Sequence, residues 1–503
     1  MGCVVSEKSL AQHFTPVPVA RFVWAAVREL AGRDLGVGSR VIDPAAGVGA
    51  LLSVVEKDYP VTGIEIDSRL AEQGRRCAGQ FHTGDGLLGN FPGVDEQSFD
   101  CALANPPFGK LGAILPLLGY RGKQQLVRRF ELLENHPLKR LNSFPLEWLF
   151  VERILHLVRP SGWIALILPE GFLANARLQG ARDWLLECAE VRAVVALPDE
   201  VFRKKGLNAR TALVVLRRKG KRSRAQARLV APSKENRELD CYLHSALCLL
   251  RSSKPKFAGA AESMHVAPGQ LRSNRWDPQF WRGNRALQNL ARGLRMVPFG
   301  EYIRHLTYGP IVTGSRPEHV DAGVPVIQQG NIVETGLDEG NLLCVEPEGV
   351  YDPPRSRVSH GDLLLPRSGA GALGKNRLAV YLGCGVANIS CFVDLIRLEG
   401  INPFYAWFFF KTRPGREQIA ARANGVGTPN ISFAEIRSLQ IVLLVESLQE
   451  DLEARYCREV RPLHRRRNES AEIRLEGERR FRAIVSDLEQ YLSGDKEPLV
   501  SRT

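Results

Sequence analysis

Between Arg40 and Arg218, short apolar segments rich in valine, isoleucine and leucine alternate with longer segments of helical character. This alternation is typical of a parallel sheet that is covered by helices. We therefore predict an α/β domain with a doubly wound, mostly parallel sheet of the Rossmann-like kind. The predicted strands are Arg40–Ile42, Val61–Ile64, Gln80–His82, Phe99–Ala104, Trp163–Leu168, Arg192–Ala196 and Ala212–Leu216.

The first predicted strand runs into a glycine-containing turn. The segment Val41–Leu52 reads VIDPAAGVGALL, which combines a strand, a turn and the start of a helix. Gly47 and Gly49 allow the backbone to pass close to a ligand at the carboxyl end of the strand. We place Asp43 and Ala45 in the same cofactor site. This turn alone does not distinguish the binding of a nucleotide, a flavin or S-adenosylmethionine.

Acidic residues close the next two predicted strands. Glu65 and Ile66 lie in GIEID, near the offset of about 20 residues at which an acidic side chain commonly accepts ribose hydroxyls. Asp85 and Gly86 lie in TGDG, where a carboxylate is placed to meet the adenine amino group of a bound cofactor. The alternative for Asp85 is a helix cap or a turn. We predict that these strand ends converge on one crevice.

A fourth motif, ALANPPFGK, follows the strand Phe99–Ala104. Its catalytic candidates are Asn105, Pro106, Pro107 and Phe108. The order DPAAGVG, GIEID, GDG and NPPF resembles that of adenine-N6 DNA methyltransferases, particularly the modification subunits of type I restriction systems and related single-chain enzymes. The resemblance covers about Ala11 to Arg218 and follows the gamma arrangement, in which target recognition comes last. It implies S-adenosyl-L-methionine as the cofactor, with Asn105 close to it.

The resemblance extends upstream to QHFTP at Gln12–Pro16. This segment is similar to the first cofactor-contacting segment of the family, which packs over the methionine moiety. The resemblance implies that Phe14, Thr15 and Pro16 contact the cofactor. The chain departs from the family where a small residue is commonly followed by Gly-Thr/Ser-Gly: the string AGVG at 46–49 lacks the hydroxyl and keeps both glycines.

The catalytic motif suits methylation of an exocyclic amine, which is a poor nucleophile because its lone pair is delocalised into the ring. The Asn105 side-chain oxygen and the Pro106 carbonyl would accept its two hydrogens and localise the lone pair for attack on the sulfonium methyl group. The two prolines restrict the loop, and Phe108 would stack on an adenine that has left the duplex. The alternative is a strand-ending turn with a buried phenylalanine.

Other substrates and roles stay open. The same motif serves protein-glutamine and some RNA methyltransferases, because those nitrogens pose the same geometric problem. Cytosine-N4 enzymes usually carry serine or threonine first, so Asn105 favours adenine. A non-catalytic DNA-binding specificity module on a degenerate core is a further alternative, against which the intact acidic residues argue. Phe202, in the segment Val195–Arg218 that resembles the target-base loop, either contacts the flipped base or belongs to the core.

The chain has 503 residues, enough for more than one core. We assign residues 1–220 to the methyltransferase domain. The formal net charge of +13 favours a polyanionic partner, which we predict to be double-stranded DNA, although an arginine-rich genome would give the same charge. The basic stretch RRKGKRSRAQAR at Arg217–Arg228 predicts a solvated loop, with phosphate contact as the lesser alternative. We predict that residues 221–271 form a basic connector between the two domains.

Residues 272–445 are predicted to form a second, mostly β domain, because short apolar runs are broken by glycine, proline and asparagine. The domain resembles the target-recognition domains of type I specificity subunits and of single-chain gamma enzymes. The segments that carry this resemblance are RWDPQFW at Arg275–Trp281, GVPVIQQGNI at Gly323–Ile332, GDLLLPRSGAGALGK at Gly361–Lys375 and NGVGTPNISFAEIRSLQI at Asn424–Ile441. The candidate DNA-contacting residues are Gln328, Gln329, Asn331, Arg367 and Lys375.

Residues 446–503 are predicted to form a helical tail. Phe481, Ile484, Leu488 and Leu492 recur at helical spacing. This stripe suggests self-association or pairing with a restriction or specificity subunit through the C-terminal helix. We find no endonuclease or helicase motif, so cleavage in a restriction system would come from a partner.

The ten cysteines are scattered and form no close pairs, which favours reduced thiols in a cytoplasmic protein and no metal site. No apolar run reaches the length of a membrane span, and we predict no membrane association. The start Met1-Gly2-Cys3 fits an acylation signal, but six residues make a weak match.

Overall fold

A computed structural model gives the fold as two compact units, residues 1–281 and residues 282–503. The structure describes residues 15–76, 79–116, 119–134, 138–198, 201, 210–220, 225–233, 238–252, 254, 257–290, 294–312, 314, 319–340, 342–423 and 429–494.

The first unit is built on one ten-stranded sheet. Its strands are β1 (Val41–Asp43), β2 (Val61–Glu65), β3 (Gln80–Thr83), β4 (Phe99–Ala104), β5 (Val158–Pro169), β6 (Ala189–Ala196), β7 (Thr211–Arg218), β8 (Ala227–Pro232), β9 (Phe257–Ala258) and β10 (Ala261–Val266). The described helices are α1 (Val17–Ala31), α2 (Ser68–Arg75), α3 (Gly119–Arg129), α4 (Glu131–Glu134), α5 (Leu146–Leu157), α6 (Glu170–Ala174), α7 (Gln179–Cys188), α8 (Leu239–Arg251), α9 (Pro268–Leu271) and α10 (Pro278–Leu290), whose last residues belong to the second unit.

The strand order is β3-β2-β1-β4-β5-β7-β6-β8-β10-β9. Strands β1 to β5 pair in parallel, whereas β7 is antiparallel to both β5 and β6. All seven strands predicted between Arg40 and Arg218 are present. The carboxyl ends of β1 to β5 therefore lie along one edge of the sheet, and the order reverses at β1, where a crevice forms in open α/β sheets. The predicted Rossmann-like fold class is confirmed.

Alternating strand residues enter two separate apolar cores. Ile42 packs into the core that contains α5, and its neighbour Val41 packs into the core that contains α1. Adjacent strand residues point to opposite faces of a sheet, so both faces are covered. Trp148 of α5 stacks on Phe172 with ring centroids 3.8 Å apart. This aromatic stacking holds α5 against α6, the short helix that follows β5.

The structure corrects the predicted connector at residues 221–271. Strand β8 pairs in parallel with β6 and antiparallel with β10, so this segment extends the central sheet. Helix α8 packs its apolar side, including Tyr242 and Leu249, into the core that contains α1. The arginines around residues 217–228 dominate the local composition, but Leu229 and Val230 are fully buried.

The RWDPQFW segment is also placed differently from the prediction, in the first unit. Trp276 is fully buried in the core that contains α5. Its backbone N–H donates to the Leu173 carbonyl at 3.0 Å, and its indole N–H donates to the Leu271 carbonyl at 3.0 Å. The resemblance of this segment to a recognition domain therefore does not mark the start of the second folded unit.

The second unit contains several small sheets and a helical group. Its strands are β11 (Met296–Pro298), β12 (Ile303–Tyr308), β13 (Val324–Ile327), β14 (Ile332–Val333), β15 (Gly336–Leu337), β16 (Leu343–Val345), β17 (Leu363–Pro366), β18 (Ala379–Val380), β19 (Asn388–Ile389), β20 (Val393–Leu398) and β21 (Gln440–Val442). The larger sheets have the orders β12-β20-β17-β18 and β16-β13-β19. The described helices are α11 (Pro403–Lys411), α12 (Arg413–Arg422), α13 (Phe433–Arg437), α14 (Glu446–Arg455), α15 (Arg461–Arg465) and α16 (Ala471–Ser493).

The C-terminal helix α16 completes the core of the second unit. Its apolar stripe, predicted as a partner surface, is buried within the same chain: Phe481, Ile484 and Leu488 have no exposed area. The Phe481 ring lies 5.0 Å from Trp407 and 5.2 Å from Phe408, both in α11. Intramolecular packing thus accounts for the stripe, which is not an open docking face. None of the described helices is long and apolar enough to cross a membrane.

Candidate active site

Hydrogen bonds among its own residues fix the conformation of the turn after β1. One carboxylate oxygen of Asp43 accepts the Ala45 N–H at 2.9 Å, and the Gly49 N–H donates to the Ala46 carbonyl at 2.8 Å. Gly47 and Gly49 have φ of 54° and 79°, a region that favours glycine. The predicted close approach of this backbone to a ligand therefore has the conformation it requires.

Glu65 ties the end of β2 to the glycine turn. Its two carboxylate oxygens accept the Gly47 N–H at 2.8 Å and the Asp67 N–H at 2.9 Å. The carboxylate is 6% exposed. Each oxygen has a second lone pair, so ribose hydroxyls can still be accepted. The structure thus brings Glu65 to the predicted crevice and adds a structural role there.

Two buried carboxyl groups make this crevice unusual. The pKa of Asp43 is raised to about 8, chiefly by burial and also by the nearby Glu65, against the hydrogen bond from Ala45, which lowers it. Burial also raises the pKa of Glu65 above its ordinary value, against the bonds from Asp67 and Gly47. A cation bound nearby would favour the ionised form of both groups.

The remaining cofactor candidates lie around the same edge. Ile66, directly after Glu65, is 55% exposed although it is apolar. Asp85 accepts the backbone N–H groups of Leu87 and Leu88 at 2.9 and 3.3 Å, which is the turn role left open from the sequence. A Cβ atom on Gly86 would lie 1.9 Å from the carbonyl oxygen of Pro44. The turns after β1 and β3 therefore touch backbone to backbone.

The predicted catalytic loop, Asn105 to Phe108, follows β4, the strand next to β1. The Asn105 side-chain N–H donates to the Thr15 hydroxyl at 3.1 Å. Pro106 is buried, and Phe108 is half-buried against the core that contains α1. Thr15 is 7% exposed and Pro16 precedes α1. Phe14 and Phe202 lie outside the described residues.

Glu147 was not among the sequence candidates, yet it lies directly behind the catalytic loop. The Leu146 N–H donates to the Gly109 carbonyl at 2.9 Å, and the Leu111 N–H donates to the Phe144 carbonyl at 2.7 Å. The Glu147 carboxyl accepts the Gly109 N–H and is 6% exposed, and burial raises the pKa of Glu147 to about 7. An acidic residue within the apolar string FPLEWLFV was the available signal.

A second charged group not predicted from the sequence lies at the end of β5. Glu170 pairs with Arg210 at 3.5 Å, and Arg275 pairs with the buried Asp277 at 2.7 Å. Burial raises the pKa of Glu170 to about 7, although Arg210 opposes this shift. Because β5 is parallel to β4, this group lies on the same sheet edge as Asn105. Within the described residues, no group of three or more His, Cys, Asp and Glu side chains could hold a metal ion.

In the second unit, two of the candidate DNA-contacting residues have structural partners. Arg367 lies 4.1 Å over the Tyr308 ring and 3.5 Å from a carboxylate oxygen of the fully buried Asp394. Asn331 accepts the Gln328 N–H at 2.9 Å and donates to the Asp338 carbonyl at 3.3 Å. Both side chains therefore stabilise the fold of this unit.

The other candidates lie near one glycine-rich turn. Gln329 is half-buried, and a Cβ atom on Gly369 would lie 3.6 Å from its side-chain oxygen. Lys375 is exposed at the end of the same turn. The Gly369 N–H donates to the Pro429 carbonyl at 2.9 Å. Asn424 to Thr428, from the last segment that carried the resemblance, lie outside the described residues.

A polar cavity of about 750 Å³ in the second unit was not predicted. Its charged lining residues are Arg304, His305, Arg355, His360, Asp362, Arg397 and Glu399. Arg397 is held by Asp362 in two bonds of 2.8 and 2.7 Å. Arg355 donates to the Thr307 hydroxyl at 3.1 Å. Arginine and histidine donors in one concave surface suit an anionic ligand.

The sheet order, the glycine turn and the asparagine loop define the first unit as a Rossmann-like methyltransferase unit. Residues 73–240 match the model of the family described as N-6 DNA Methylase. The resemblance inferred from the sequence is thereby confirmed, together with S-adenosyl-L-methionine as the cofactor of this class.

Over 215 residues the chain is 22% identical to the Defense against restriction protein B of Escherichia phage P1, a match that covers 42% of this chain and 8% of the phage protein. Among solved structures, the type IIG restriction endonuclease BpuSI gives a TM-score of 0.47 at 13% identity, covering 96% of this chain and 67% of that chain. The methyltransferase subunit of a type I restriction-modification system from Streptococcus thermophilus gives 0.38 at 18% identity, covering 52% and 58%.

Proposed function

We propose that this chain is a site-specific DNA methyltransferase that transfers a methyl group from S-adenosyl-L-methionine to the N6 amine of adenine in a restriction-modification system. One observation carries the proposal. Strand β4, which ends just before Asn105, pairs directly with β1, so the NPPF loop and the glycine turn held by Glu65 lie at adjacent positions on one sheet edge. A methyl donor and an amine acceptor must meet at such a position.

The cofactor residues have properties that fit this donor. Glu65 can accept ribose hydroxyls, and the exposed Ile66 offers an apolar surface to an adenine ring. No side chain separates the two backbones at the contact between Gly86 and Pro44. A positively charged donor would favour the ionised form of the two buried carboxyls, and it would supply an electrophilic methyl group when bound.

In this mechanism the chain's residues prepare the amine. The Asn105 side-chain oxygen and the Pro106 carbonyl accept the two N6 hydrogens and localise the nitrogen lone pair. S-adenosyl-L-methionine, which Glu65 and Ile66 would hold, would supply the electrophilic methyl group that this nitrogen takes. One N6 proton then leaves to solvent. Phe108 stacks against the base once it has left the duplex.

The second unit supports a nucleic-acid substrate over a protein substrate. A cavity lined by arginine and histidine, a glycine-rich turn and the exposed Lys375 provide polar groups for phosphates and base edges. We propose that this unit selects the target sequence. Pairing with a specificity or restriction subunit stays a prediction, and the stripe on α16 no longer supports it.

Sequencing of genomic DNA from a methylation-free host that expresses the chain tests the modified atom and the target together. N6-methyladenine within one sequence context is expected, and an Asn105→Ala chain expressed in parallel should leave the genome unmodified. An unmodified genome with a folded, cofactor-binding parent chain would direct the search to RNA or glutamine substrates.

A domain exchange tests the second unit. The exchange should begin at Arg282 and extend through α16, because the RWDPQFW segment folds with the first unit and α16 with the second. The chimera should methylate a different adenine context. Retention of the original context by a folded chimera would place specificity in the first unit.

A further inference from the structure

The turn that follows β3, residues 85–88, contains the cofactor candidates Asp85 and Gly86. The Asp85 oxygen Oδ1 accepts the N–H groups of Leu87 and Leu88 at 2.9 and 3.3 Å. Among the residues that the structure describes, no hydrogen bond reaches the second oxygen, Oδ2. The turn therefore uses one carboxylate oxygen of Asp85, and the other has the capacity to accept an N–H from a ligand.

Two further contacts fix the backbone of this turn. The Gly86 backbone meets the Pro44 carbonyl so closely that an added Cβ atom would lie 1.9 Å from its oxygen. The Gly86 carbonyl oxygen accepts the Nε–H of Arg153, a residue of α5, at 3.3 Å. Arg153 therefore connects the turn after β3 to the helix that packs on one face of the sheet.

Arg153 is a charged residue in the buried interior of the first unit. Its side chain is 2% exposed, whereas that of its ion-pair partner Glu96, 4.0 Å away, is 64% exposed. Burial lowers the pKa of Arg153 to about 10, so the guanidinium keeps its charge at neutral pH. A buried charge costs free energy that one long ion pair to an exposed partner does not offset. Stability of the fold alone therefore does not account for an arginine at this position.

We propose that Arg153 is a positioning residue for the cofactor: it holds the Gly86 carbonyl, so that Asp85 can accept a hydrogen bond from the adenine amino group. The proposal rests on the proposed function, in which this turn binds S-adenosyl-L-methionine. Without the guanidinium, the peptide that follows Gly86 can rotate, and Asp85, its neighbour in the chain, loses its fixed position. The loss falls on recognition of the amino group, because the other cofactor candidates lie outside this turn.

The affinities for two ligands test this role. S-Adenosyl-L-homocysteine has the adenine amino group, and S-inosyl-L-homocysteine carries an oxygen in its place. In titration calorimetry the parent should bind the adenosyl compound at least about tenfold more tightly, because Asp85 accepts its amino group. Arg153→Met removes the guanidinium, keeps a long side chain and should reduce this ratio to about threefold or less. Arg153→Lys keeps the charge and a donor, and should recover part of the ratio.

Arg182 in α7 provides a matched control, because its side chain is also buried. It is 1% exposed and donates to the Phe172 and Asn175 carbonyls at 3.1 and 2.9 Å. Arg182→Met should leave the ratio of the two affinities at the parent value. Melting temperatures identify the variants that remain folded, and Arg153→Gln takes the place of Arg153→Met if the latter does not fold.

A folded Arg153→Met chain that keeps the parent ratio would overturn the role of Arg153. Equal losses of affinity for both ligands would also overturn it, since Arg153 would then support the crevice as a whole. A parent without preference for the adenosyl compound would do the same, because Asp85 would not contact the amino group. DNA methylation is assayed separately: a parent with the expected ratios that leaves DNA unmodified would contradict the proposed function and support the role of Arg153.

Discussion

Gly86 and Pro44 meet without a side chain between them. A Cβ atom added to Gly86 would lie 1.9 Å from the Pro44 carbonyl oxygen, far inside contact distance. Pro44 belongs to the turn that Glu65 holds at Gly47, so the contact links the ends of three neighbouring strands. The proposed cofactor crevice therefore keeps its shape only with glycine, which has no Cβ atom, at position 86.

Gly86→Ala should weaken cofactor binding, because the added methyl group pushes the turn after β1 away from the turn after β3. We expect the affinity for S-adenosyl-L-methionine to fall at least about tenfold in titration calorimetry, with a cost of about 1–3 kcal/mol for the forced backbone shift. Gly180→Ala is the control, because a Cβ there has nothing within 4 Å. Parent-like affinity in Gly86→Ala would show that the crevice tolerates the shift.

Asn105→Ala should lower kcat by about 100-fold or more, since it removes an acceptor used mainly in the transition state. Cofactor affinity should stay near that of the parent. Single-turnover methylation and calorimetry measure the two effects, and Asn142→Ala, an exposed asparagine in the same unit, is the control. Turnover within a few-fold of the parent would remove Asn105 from the catalytic role.

Glu65→Ala should weaken cofactor binding and also destabilise the first unit. The substitution leaves the Gly47 and Asp67 N–H groups without their acceptor, at a cost of about 1–3 kcal/mol. Glu65→Gln keeps one acceptor oxygen and should lie between parent and alanine in both measurements. Denaturant unfolding and calorimetry distinguish the effects. Unchanged affinity in Glu65→Ala would exclude Glu65 from the cofactor site.

Asp43 predicts a pH dependence of stability. Burial raises its pKa from the ordinary 3.8 to about 8, so between about pH 4 and pH 8 the folded chain retains a proton that the unfolded chain has released. The free energy of unfolding should fall as the pH rises through this window. Asp43→Asn cannot ionise and should show a shallower fall. Parallel curves for parent and variant would indicate that Asp43 is ionised in the folded protein.

Arg367→Ala should lower the stability of the second unit, whereas Lys375→Ala should affect DNA binding. Removal of Arg367 leaves the buried Asp394 without its cation, and burial already raises the pKa of Asp394 to about 7. We expect a loss of about 1–3 kcal/mol in stability. Lys375→Ala should leave stability unchanged and reduce the salt dependence of DNA binding by about one unit of slope. A stable Arg367→Ala chain with weakened DNA binding would restore the DNA-contact prediction.

Sequence patterns predicted the strands whose apolar sequence agrees with their burial in the folded unit. Apart from Asp100, the run Phe99–Ala104 is apolar on both faces, as expected of a strand covered on both faces, and it forms β4. Special turn residues follow the same strands, so the position of Asn105 beside the glycine turn followed from the rule that parallel strands end on one edge.

The differences arose where tertiary contacts outweigh composition. The basic composition around β8 does not indicate a strand, because the pairing of β8 with β6 and β10 depends on residues that are distant in the sequence. Arg367 has a side chain suited to DNA, and only the fold places Tyr308 and Asp394 around it. Glu147 was not predicted because its hydrogen bond from the Gly109 N–H joins two residues that no spacing along the chain connects.

The position of α16 matters during synthesis of the chain. Residues up to Trp281 contain every member of the first unit's two cores, so that unit can fold while the ribosome is still translating the rest. The core of the second unit around Trp407 and Phe408 cannot form until Phe481 has emerged from the ribosomal exit tunnel. Interrupted translation would thus release a folded methyltransferase unit joined to an exposed aromatic segment, which is a substrate for chaperones and proteases.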